Sequence, residues 1–369
     1  MVDLQTQYHR LKTEIDTAMQ EVIESSAFIN GPAVKQFQSG MVEYLNVKHI
    51  ITCGNGTDAL QAALVALDLQ PGDEVITTAF TFIATVEVIG LLNLKPILVD
   101  VDLNTYNLIP KQVEAAITPK TKAIIPVHLF GQGADMNRLK EIANKYNLFL
   151  VEDGAQSLGA CYKTEGGSSK LGTIGDIGCT SFFPSKNLGC FGDGGACITN
   201  NDKLAEKLRM FVNHGAKVKY YHKTIGVNSR LDTLQAAILN VKLPHLDDFN
   251  QRRQKVAGFY DSAFGDIEEI VLPGRNPESE HVFHQYVLRI KNGKRDDLRE
   301  WLGKKAIPAM VYYPVALHRQ EAFSKWITDD FSLPNSEQLT REVLALPVHT
   351  EMTTEQLEYI REGVLSFFG

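Results

Sequence analysis

The stretch Ser181-Phe182-Phe183-Pro184-Ser185-Lys186-Asn187-Leu188-Gly189 places one lysine among aromatic and apolar residues, and a glycine-rich turn follows it. An ammonium ion is costly in such surroundings because desolvation disfavours the charged form. The cost disappears when the amine is neutral or is joined to a carbonyl group as a Schiff base. The alternative is a lysine that extends from the end of a buried strand to water. The rest of the chain has to decide between these two interpretations.

Before this lysine, apolar segments typical of strands alternate with segments of helical periodicity. Predicted strands cover residues 50–53, 74–78, 96–102, 123–127 and 148–151. Predicted helices cover residues 8–25, 34–45, 59–67, 84–91, 109–117 and 136–146. This alternation predicts βαβ units and an α/β fold with a mostly parallel central sheet.

The pattern changes after Pro244. A strand at 196–199 and helices at 203–211 and 231–243 still belong to the first pattern. Beyond it we predict a long helix at 251–264, strands at 285–290 and 309–311, a helix at 295–304 and another at the end of the chain. We therefore predict a large domain at 1–243, with an N-terminal helical arm, and a small α+β domain at 244–369.

A glycine turn, Gly54-Asn55-Gly56-Thr57-Asp58, separates the first predicted strand from the next helix. Glycines allow backbone N–H groups to approach an anion closely, and a helix N-terminus favours a phosphate. The alternative is a capped helix start with Thr57 or Asp58 as the N-cap. The turn matches neither GxxxxGK[ST] nor GxGxxG, so a nucleotide-binding P-loop or a nicotinamide-dependent oxidoreductase is not supported.

A second polar segment, Glu152-Asp153-Gly154-Ala155-Gln156, closes another predicted strand. Ligands of open parallel sheets bind beyond the carboxyl ends of the strands, and a buried carboxylate needs a partner. A protonated pyridine nitrogen is a suitable partner, although a helix cap or a surface carboxylate is an alternative for Asp153. Phe82 also lies near a strand end, where it could stack on an aromatic cofactor or simply fill the core. We interpret Lys186 as the residue that carries pyridoxal 5′-phosphate (PLP).

The bulk composition excludes several classes of partner. The chain has 369 residues, a net charge of −7 and mixed acidic and basic residues, so no basic patch indicates nucleic acid or anionic lipid. The five cysteines form no CxxC pair, which favours a reducing cytosol and predicts no metal site. No apolar run approaches the roughly 20 residues of a membrane-spanning helix. We therefore expect a cytoplasmic protein.

Together, these motifs resemble the PLP-dependent sugar aminotransferases of the DegT/DnrJ/StrS family. The similarity extends from Asp3-Leu4 to Leu346-Pro347, and it is especially close in Gly226-Val227-Asn228-Ser229-Arg230-Leu231-Asp232-Thr233-Leu234-Gln235-Ala236-Ala237. The sequence is most similar to enzymes that aminate UDP-2-acetamido-2-deoxy-3-oxo-glucuronate for surface polysaccharides such as lipopolysaccharide O-antigen. Enzymes that make dTDP-3-amino-3,6-dideoxyhexoses are also similar.

The resemblance implies fold type I of the PLP-dependent transferases, L-glutamate and a nucleotide-linked ketosugar as substrates, and a homodimer with shared active sites. It implies a Schiff base at Lys186 and a role for each of the other site residues. Asp153 would contact the pyridine nitrogen, Gln156 would bind the ring hydroxyl and Phe82 would stack on the ring face. The phosphate would be held by Gly56, Thr57, Ser181 and the other subunit's Asn228. The sugar would be contacted by Tyr313 and by the other subunit's Arg230.

Three positions depart from the family pattern: Gly154 replaces an alanine, Tyr312 stands where uronate-type enzymes usually have histidine, and His318 replaces a typical asparagine. Because Tyr312 and His318 lie on the substrate side, they affect the identity of the sugar rather than the cofactor. Two alternatives remain within the resemblance. Related sugar 3-dehydratases carry histidine in place of Lys186, and a non-catalytic regulator could have kept the fold.

Overall fold

A computed structural model gives the structure of residues 1–327 and 330–369. Its helices are α1 (Leu4–Arg10), α2 (Lys12–Ser25), α3 (Pro32–Leu45), α4 (Gly56–Ala66), α5 (Ala84–Leu91), α6 (Pro110–Ala115), α7 (Met136–Tyr146), α8 (Asp202–Phe211), α9 (Thr233–Lys242), α10 (Leu246–Phe264), α11 (Arg295–Lys304), α12 (Pro334–Glu342) and α13 (Thr354–Phe368). Its strands are β1 (His49–Cys53), β2 (Glu74–Thr78), β3 (Lys95–Val99), β4 (Thr121–Ile125), β5 (Phe149–Asp153), β6 (Cys161–Thr164), β7 (Gly167–Lys170), β8 (Ile177–Ser181), β9 (Gly195–Thr199), β10 (Ala216–Val218), β11 (Tyr221–His222), β12 (Ile270–Val271), β13 (Tyr286–Ile290) and β14 (Val343–Leu346).

The central sheet has seven strands in the order β1-β9-β8-β5-β4-β2-β3. All of them run in the same direction except β9, which is antiparallel to both of its neighbours. One face is covered by α4, α5 and α8, and the other by α3, α9, α6 and α7. Both faces are therefore buried, as expected of a largely parallel sheet, and the predicted α/β class is confirmed.

Local sequence explains why α7 has the bounds that its periodicity predicts. In α7, Met136, Leu139 and Ile142 repeat at helical spacing and are buried. The side chain of Asp135 accepts a hydrogen bond from the Arg138 N–H and caps the helix N-terminus. Asn147 ends the helix in the left-handed conformation at φ 52°. Helices of this kind rely on signals that lie within a few residues.

The C-terminal part is a separate antiparallel sheet of three strands, β12-β13-β14, packed against α10, α11 and α13. The predicted strand at 309–311 is wrong: only Met310 pairs, exchanging two hydrogen bonds with Ala345. Pro308 has no N–H group, so the pairing cannot extend towards it. The predicted domain boundary at residue 243 stays a prediction, and a 3₁₀ turn at Leu243–His245 connects α9 to α10 there.

Glu152, the next-to-last residue of β5, is fully buried, and its two carboxylate oxygens are contacted by four hydrogen-bond donors. His128 Nε2 lies 2.9 Å from Oε2, to which the Gly172 N–H donates at 2.8 Å. The N–H groups of Ile174 and Gly175 donate to Oε1 at 2.6 and 2.7 Å. Burial alone would raise the pKa of Glu152, but the bonds from His128 and from these N–H groups outweigh it and hold the pKa below its usual value. The carboxylate therefore anchors the loop at 172–175 to β5.

Substitution of Glu152 by alanine should lower the free energy of unfolding by about 3–5 kcal/mol, because it leaves buried donors without an acceptor. Glu152→Gln keeps one oxygen for Ile174 and Gly175 and should lose about half as much. Urea unfolding measures both values. A loss below about 1 kcal/mol for the alanine variant would contradict this role.

Within the described residues, the structure contains no helix that is long and apolar enough to cross a membrane. Nor do the residues described here include a cluster of three or more histidine, cysteine or acidic side chains arranged to hold a metal ion.

Candidate active site

A cavity of about 620 Å³ opens at the carboxyl ends of the central strands. Ten of its lining residues supply the chemistry discussed below: Asn55, Gly56, Thr57, Phe82, Thr85, Asp153, Gln156, Ser181, Lys186 and Tyr313. A larger cleft of about 990 Å³ lies at the opposite edge of the sheet, near Thr118 and Asp176, and contains none of the candidate residues. Volume alone would select the larger cleft, whereas the chemistry selects the smaller cavity.

At one end of this cavity, helix α4 begins directly after β1. Asn55 is its N-cap and accepts a hydrogen bond from the Asp58 N–H at 2.8 Å, so the alternative of Thr57 or Asp58 as the cap is wrong. A Cβ at Gly56 would lie 2.8 Å from the Cβ of Ser181. Only glycine therefore lets the helix start approach the end of β8 this closely. The arrangement aims backbone N–H groups and the hydroxyls of Thr57 and Ser181 at a space suited to a phosphate.

Asp153, the last residue of β5, forms the floor of the cavity and is only 5% exposed. The Thr85 hydroxyl donates to its Oδ2 at 2.8 Å, and the Ala155 N–H donates to Oδ1 at 3.2 Å. Within the described residues, no arginine or lysine forms an ion pair with this carboxylate. Burial raises its pKa, against the effect of these hydrogen bonds. A buried carboxylate without a cationic partner fits a ligand that brings a positive charge.

The side-chain amide of Gln156 has a fixed orientation. Its Oε1 accepts a hydrogen bond from the Phe130 N–H at 2.8 Å, and its Nε2 donates to the Tyr313 hydroxyl at 3.2 Å. With one N–H directed to Tyr313 and the oxygen accepting from Phe130, the remaining N–H of Gln156 is the donor that it can offer to a ligand. This is the polarity needed to bind a phenolate oxygen such as that of the PLP ring.

Lys186 is partly exposed to the cavity, yet the surrounding protein desolvates its amine. Burial lowers its pKa to about 8, against the effect of the nearby Asp153 charge. Within the described residues the amine makes no hydrogen bond. At pH 7, about a tenth of the Lys186 amines are therefore neutral and able to react, far more than for an ordinary lysine with a pKa of about 10.4.

A second buried lysine, Lys242, shows why location matters as much as pKa. Burial also lowers its pKa to about 8. Its Nζ, however, donates to the Gly189 carbonyl at 2.8 Å and lies 4.7 Å from the centre of the Phe191 ring. Lys242 therefore supports the loop that follows Lys186, and it does not line the cavity.

Aromatic side chains form the remaining walls. Phe82 is 55% exposed, unlike a core phenylalanine, and is the ring predicted to stack on the cofactor. Tyr312 and Tyr313 enter from the C-terminal part of the chain, together with His284. Tyr313 packs edge-on against Phe80, with ring centres 5.9 Å apart.

Three predicted site residues lie outside the cavity of this single chain. Asn228 is exposed and forms an isolated antiparallel bridge with Asn213, and Arg230 is partly exposed. Both were expected to reach the site of another subunit. His318 is buried, and its Nε2 lies 2.9 Å from an oxygen of Glu337. Its role in substrate binding therefore stays a prediction.

Sequence reasoning missed Asn55, Thr85 and His284. Asn55 had a detectable signal, because asparagine before a glycine-started helix is a common N-cap. His284 stood in the segment His281-Val282-Phe283-His284, which offered two histidines and no way to choose between them. Thr85 had no signal, since its partner is 68 residues away.

Comparison with known proteins gives a consistent answer across the whole chain. The profile of the DegT/DnrJ/EryC1/StrS aminotransferase family matches residues 9–365. The chain is 47% identical to a pleiotropic regulatory protein of Geobacillus stearothermophilus, covering 100% of this chain and 98% of that protein. It is 44% identical to UDP-2-acetamido-2-deoxy-3-oxo-D-glucuronate aminotransferase of Pseudomonas aeruginosa, covering 97% of each.

Solved structures agree in fold. Streptomyces venezuelae DesV superimposes with a TM-score of 0.95 at 38% identity, covering 99% of this chain and 97% of that one. Bacillus subtilis NtdA, crystallised with the cofactor pyridoxamine phosphate (PMP), gives a TM-score of 0.91 at 32% identity, covering 97% and 82%. The chain therefore belongs to the DegT/DnrJ/EryC1/StrS aminotransferase family, an α/β family of PLP-dependent sugar aminotransferases.

Proposed function

We propose that this protein transfers an amino group from L-glutamate to a nucleotide-linked 3-ketosugar, and that the sugar is UDP-2-acetamido-2-deoxy-3-oxo-glucuronate. The observation that carries the proposal is the convergence of Lys186 and Asp153 on one cavity that also contains the start of α4. The choice of sugar is supported by the 44% identity to the Pseudomonas enzyme. The aminosugar product would supply surface-polysaccharide synthesis.

The residues of the cavity fit PLP. Gly56, Thr57 and Ser181 would hold its phosphate, Gln156 its ring oxygen, and Asp153 its pyridine nitrogen. The buried carboxylate of Asp153 accepts two hydrogen bonds but has no cationic partner among the described residues, which an apolar ligand would leave unexplained. When bound, PLP supplies a conjugated ring that accepts the electrons released at the reacting carbon.

The protein's own contribution is placement and proton transfer. Asp153 would favour a protonated ring nitrogen, and Gln156 would hold the ring oxygen through an amide whose orientation is already set. The neutral amine of Lys186 would take the proton from Cα of the amino donor as a general base and then, as a general acid, deliver it to C4′ of the cofactor, the carbon that keeps the amino group. Phe82 covers the site and limits access of water.

On the substrate side we propose a homodimer in which Arg230 and Asn228 of one subunit complete the other subunit's cavity. Of the described residues that line the cavity, only Lys186 is a lysine or arginine, whereas Asp58, Asp153 and Asp193 are acidic. A nucleotide sugar and a phosphate are both anionic, so further cations must come from outside this chain's own cavity. Arg230 can pair bidentately with a sugar carboxylate.

Two other functions have specific support. Relatives named as dTDP-3-amino-sugar transaminases are 39% and 42% identical to this chain. The 47% relative named as a regulatory protein supports a regulator. A regulator would not need the low-pKa amine of Lys186 and the buried carboxylate of Asp153 in one cavity, so we favour the enzyme.

The test is to incubate the PLP-loaded protein with glutamate and a panel of ketosugars, and to measure 2-oxoglutarate. We expect turnover with the UDP-linked 3-oxo-uronate. We also expect Arg230→Gln to raise KM for this sugar about 10–100-fold, and much less for UDP-N-acetyl-3-dehydroglucosamine, because only the uronate carries a carboxylate on its sugar ring. Turnover of dTDP-linked sugars alone would overturn the proposed substrate assignment. PLP binding without turnover of any sugar would favour the regulator.

The lowered pKa of Lys186 predicts how cofactor capture depends on pH. The amine reacts only when neutral, so the rate of PLP attachment to the cofactor-free protein should rise about tenfold per pH unit below 8 and level off above it. For an ordinary lysine, the rate of attachment would keep rising up to about pH 10.4. Borohydride trapping at a series of pH values measures the rate, with N-acetyl-lysine amide as the reference amine. A profile parallel to that of the reference would contradict the lowered pKa.

A further inference from the structure

The carboxylate of Asp153 is held by two donors, and one of them is a side chain without an assigned role. The Ala155 N–H, which is part of the local turn, bonds Oδ1 at 3.2 Å. The shorter bond, 2.8 Å to Oδ2, comes from the hydroxyl of Thr85. Thr85 is 1% exposed, and it lines the same cavity as Asp153 and Lys186.

The hydroxyl of Thr85 does not make the short hydrogen bond to a preceding backbone carbonyl that is common for a threonine in a helix. Threonine in the first turns of a helix often donates back to a carbonyl three or four residues earlier. Here that carbonyl belongs to Phe82 and lies 3.5 Å away, at the limit of a hydrogen bond. The single hydroxyl hydrogen is therefore donated to Asp153, at the end of β5.

We infer that Thr85 is a positioning residue that orients the Asp153 carboxylate towards the pyridine nitrogen of PLP. This inference rests on the proposed PLP site. Thr85 follows Phe82 by three residues at the start of α5, so one short segment supplies both the ring-covering side chain and the support for the acid beneath. The charge at the ring nitrogen and the placement of the ring are thereby coupled.

The chemistry of the threonine side chain explains the choice of residue. Its β-branched side chain has few rotamers, so the hydroxyl is held in place without a further hydrogen bond. A hydrogen bond donated to a carboxylate favours its ionised form, which opposes the effect of burial on the pKa of Asp153. Without this donor, Asp153 would more readily take up a proton and would bind a protonated pyridine less well.

The test uses PMP, which binds without a covalent bond, and three variants of the full-length protein. Thr85→Val keeps the shape and removes the donor, Thr85→Ser keeps the donor, and Asp153→Asn removes the charge. We expect Thr85→Val to weaken the Kd for PMP and to lower kcat by about tenfold each, because a hydrogen bond to a charged group is lost. Thr85→Ser should stay within about threefold of wild type.

The double variant Thr85→Val with Asp153→Asn distinguishes positioning from a structural role. If Thr85 acts through Asp153, removing its hydroxyl should change the Kd for PMP by less than twofold once the charge is gone. Equal losses in both backgrounds would overturn the inference, as would a Thr85→Val variant with wild-type Kd and kcat. Failure of the wild-type protein to bind PMP would instead contradict the proposed cofactor site itself.

Discussion

Replacing Lys186 with alanine should lower turnover by about 10⁴-fold and leave the cofactor bound in the cavity. The reason is that the variant loses the one amine that can both carry PLP and move a proton at Cα of the donor, and general acid–base catalysis alone contributes about 10²–10⁴-fold. The phosphate contacts that we propose for Gly56, Thr57 and Ser181 do not depend on this amine. The measurements are 2-oxoglutarate formation and the amount of cofactor that remains after gel filtration.

Lys242→Met is the matched control, because Lys242 is also buried and also has a pKa of about 8. It should lower the free energy of unfolding, since it removes the bond to the Gly189 carbonyl, but it should keep borohydride-dependent labelling with PLP. Lys186→Ala should lose that labelling. Labelling that survives in Lys186→Ala and disappears in Lys242→Met would refute the assignment, and so would an active Lys186→Ala enzyme.

Asp153→Asn should lower kcat by about 10³-fold, the order expected when a preorganised charge is removed from a reacting centre. An amide of the same shape cannot keep the ring nitrogen protonated. The affinity for PMP should fall together with kcat, since the contact exists before the reaction starts. Steady-state kinetics and PMP titration measure the two effects.

The same substitution should not destabilise the cofactor-free protein at neutral pH. The folded-state pKa of Asp153 is raised, so its charged form costs stability, and this cost grows as pH rises from the unfolded-state pKa through the folded-state pKa. Removing the charge therefore keeps or increases the free energy of unfolding at pH 7. A variant that loses activity only because it unfolds more easily would contradict the proposed role.

Opposite effects on stability and function are expected at a site built to receive a charged ligand. Glu152, the neighbouring residue, gives the contrasting case: its carboxylate is satisfied by His128 and three backbone donors, so its loss should affect folding first. Adjacent acids on one strand face opposite sides of the sheet and therefore serve different purposes.

The sequence by itself determined the α/β class and many of the elements. Signals within a few residues define β2 at Glu74–Thr78, α5 at Ala84–Leu91 and α11 at Arg295–Lys304, and these bounds match the predicted ones. The family resemblance of the motifs around Gly56, Asp153 and Lys186 also implied that these residues share one site, and all three line the same cavity.

Only the tertiary structure decided the contacts between distant parts of the chain. It placed β9 antiparallel within an otherwise parallel sheet, directed Thr85 to Asp153 and bound Lys242 to Gly189. It also distinguishes Lys186 from Lys242: burial lowers the pKa of both amines to about 8, but of the two only Lys186 lines the cavity. Periodicity and turn chemistry report the neighbours of a residue along the chain, whereas hydrogen bonds and burial at this site depend on strands and helices that pack together only after folding.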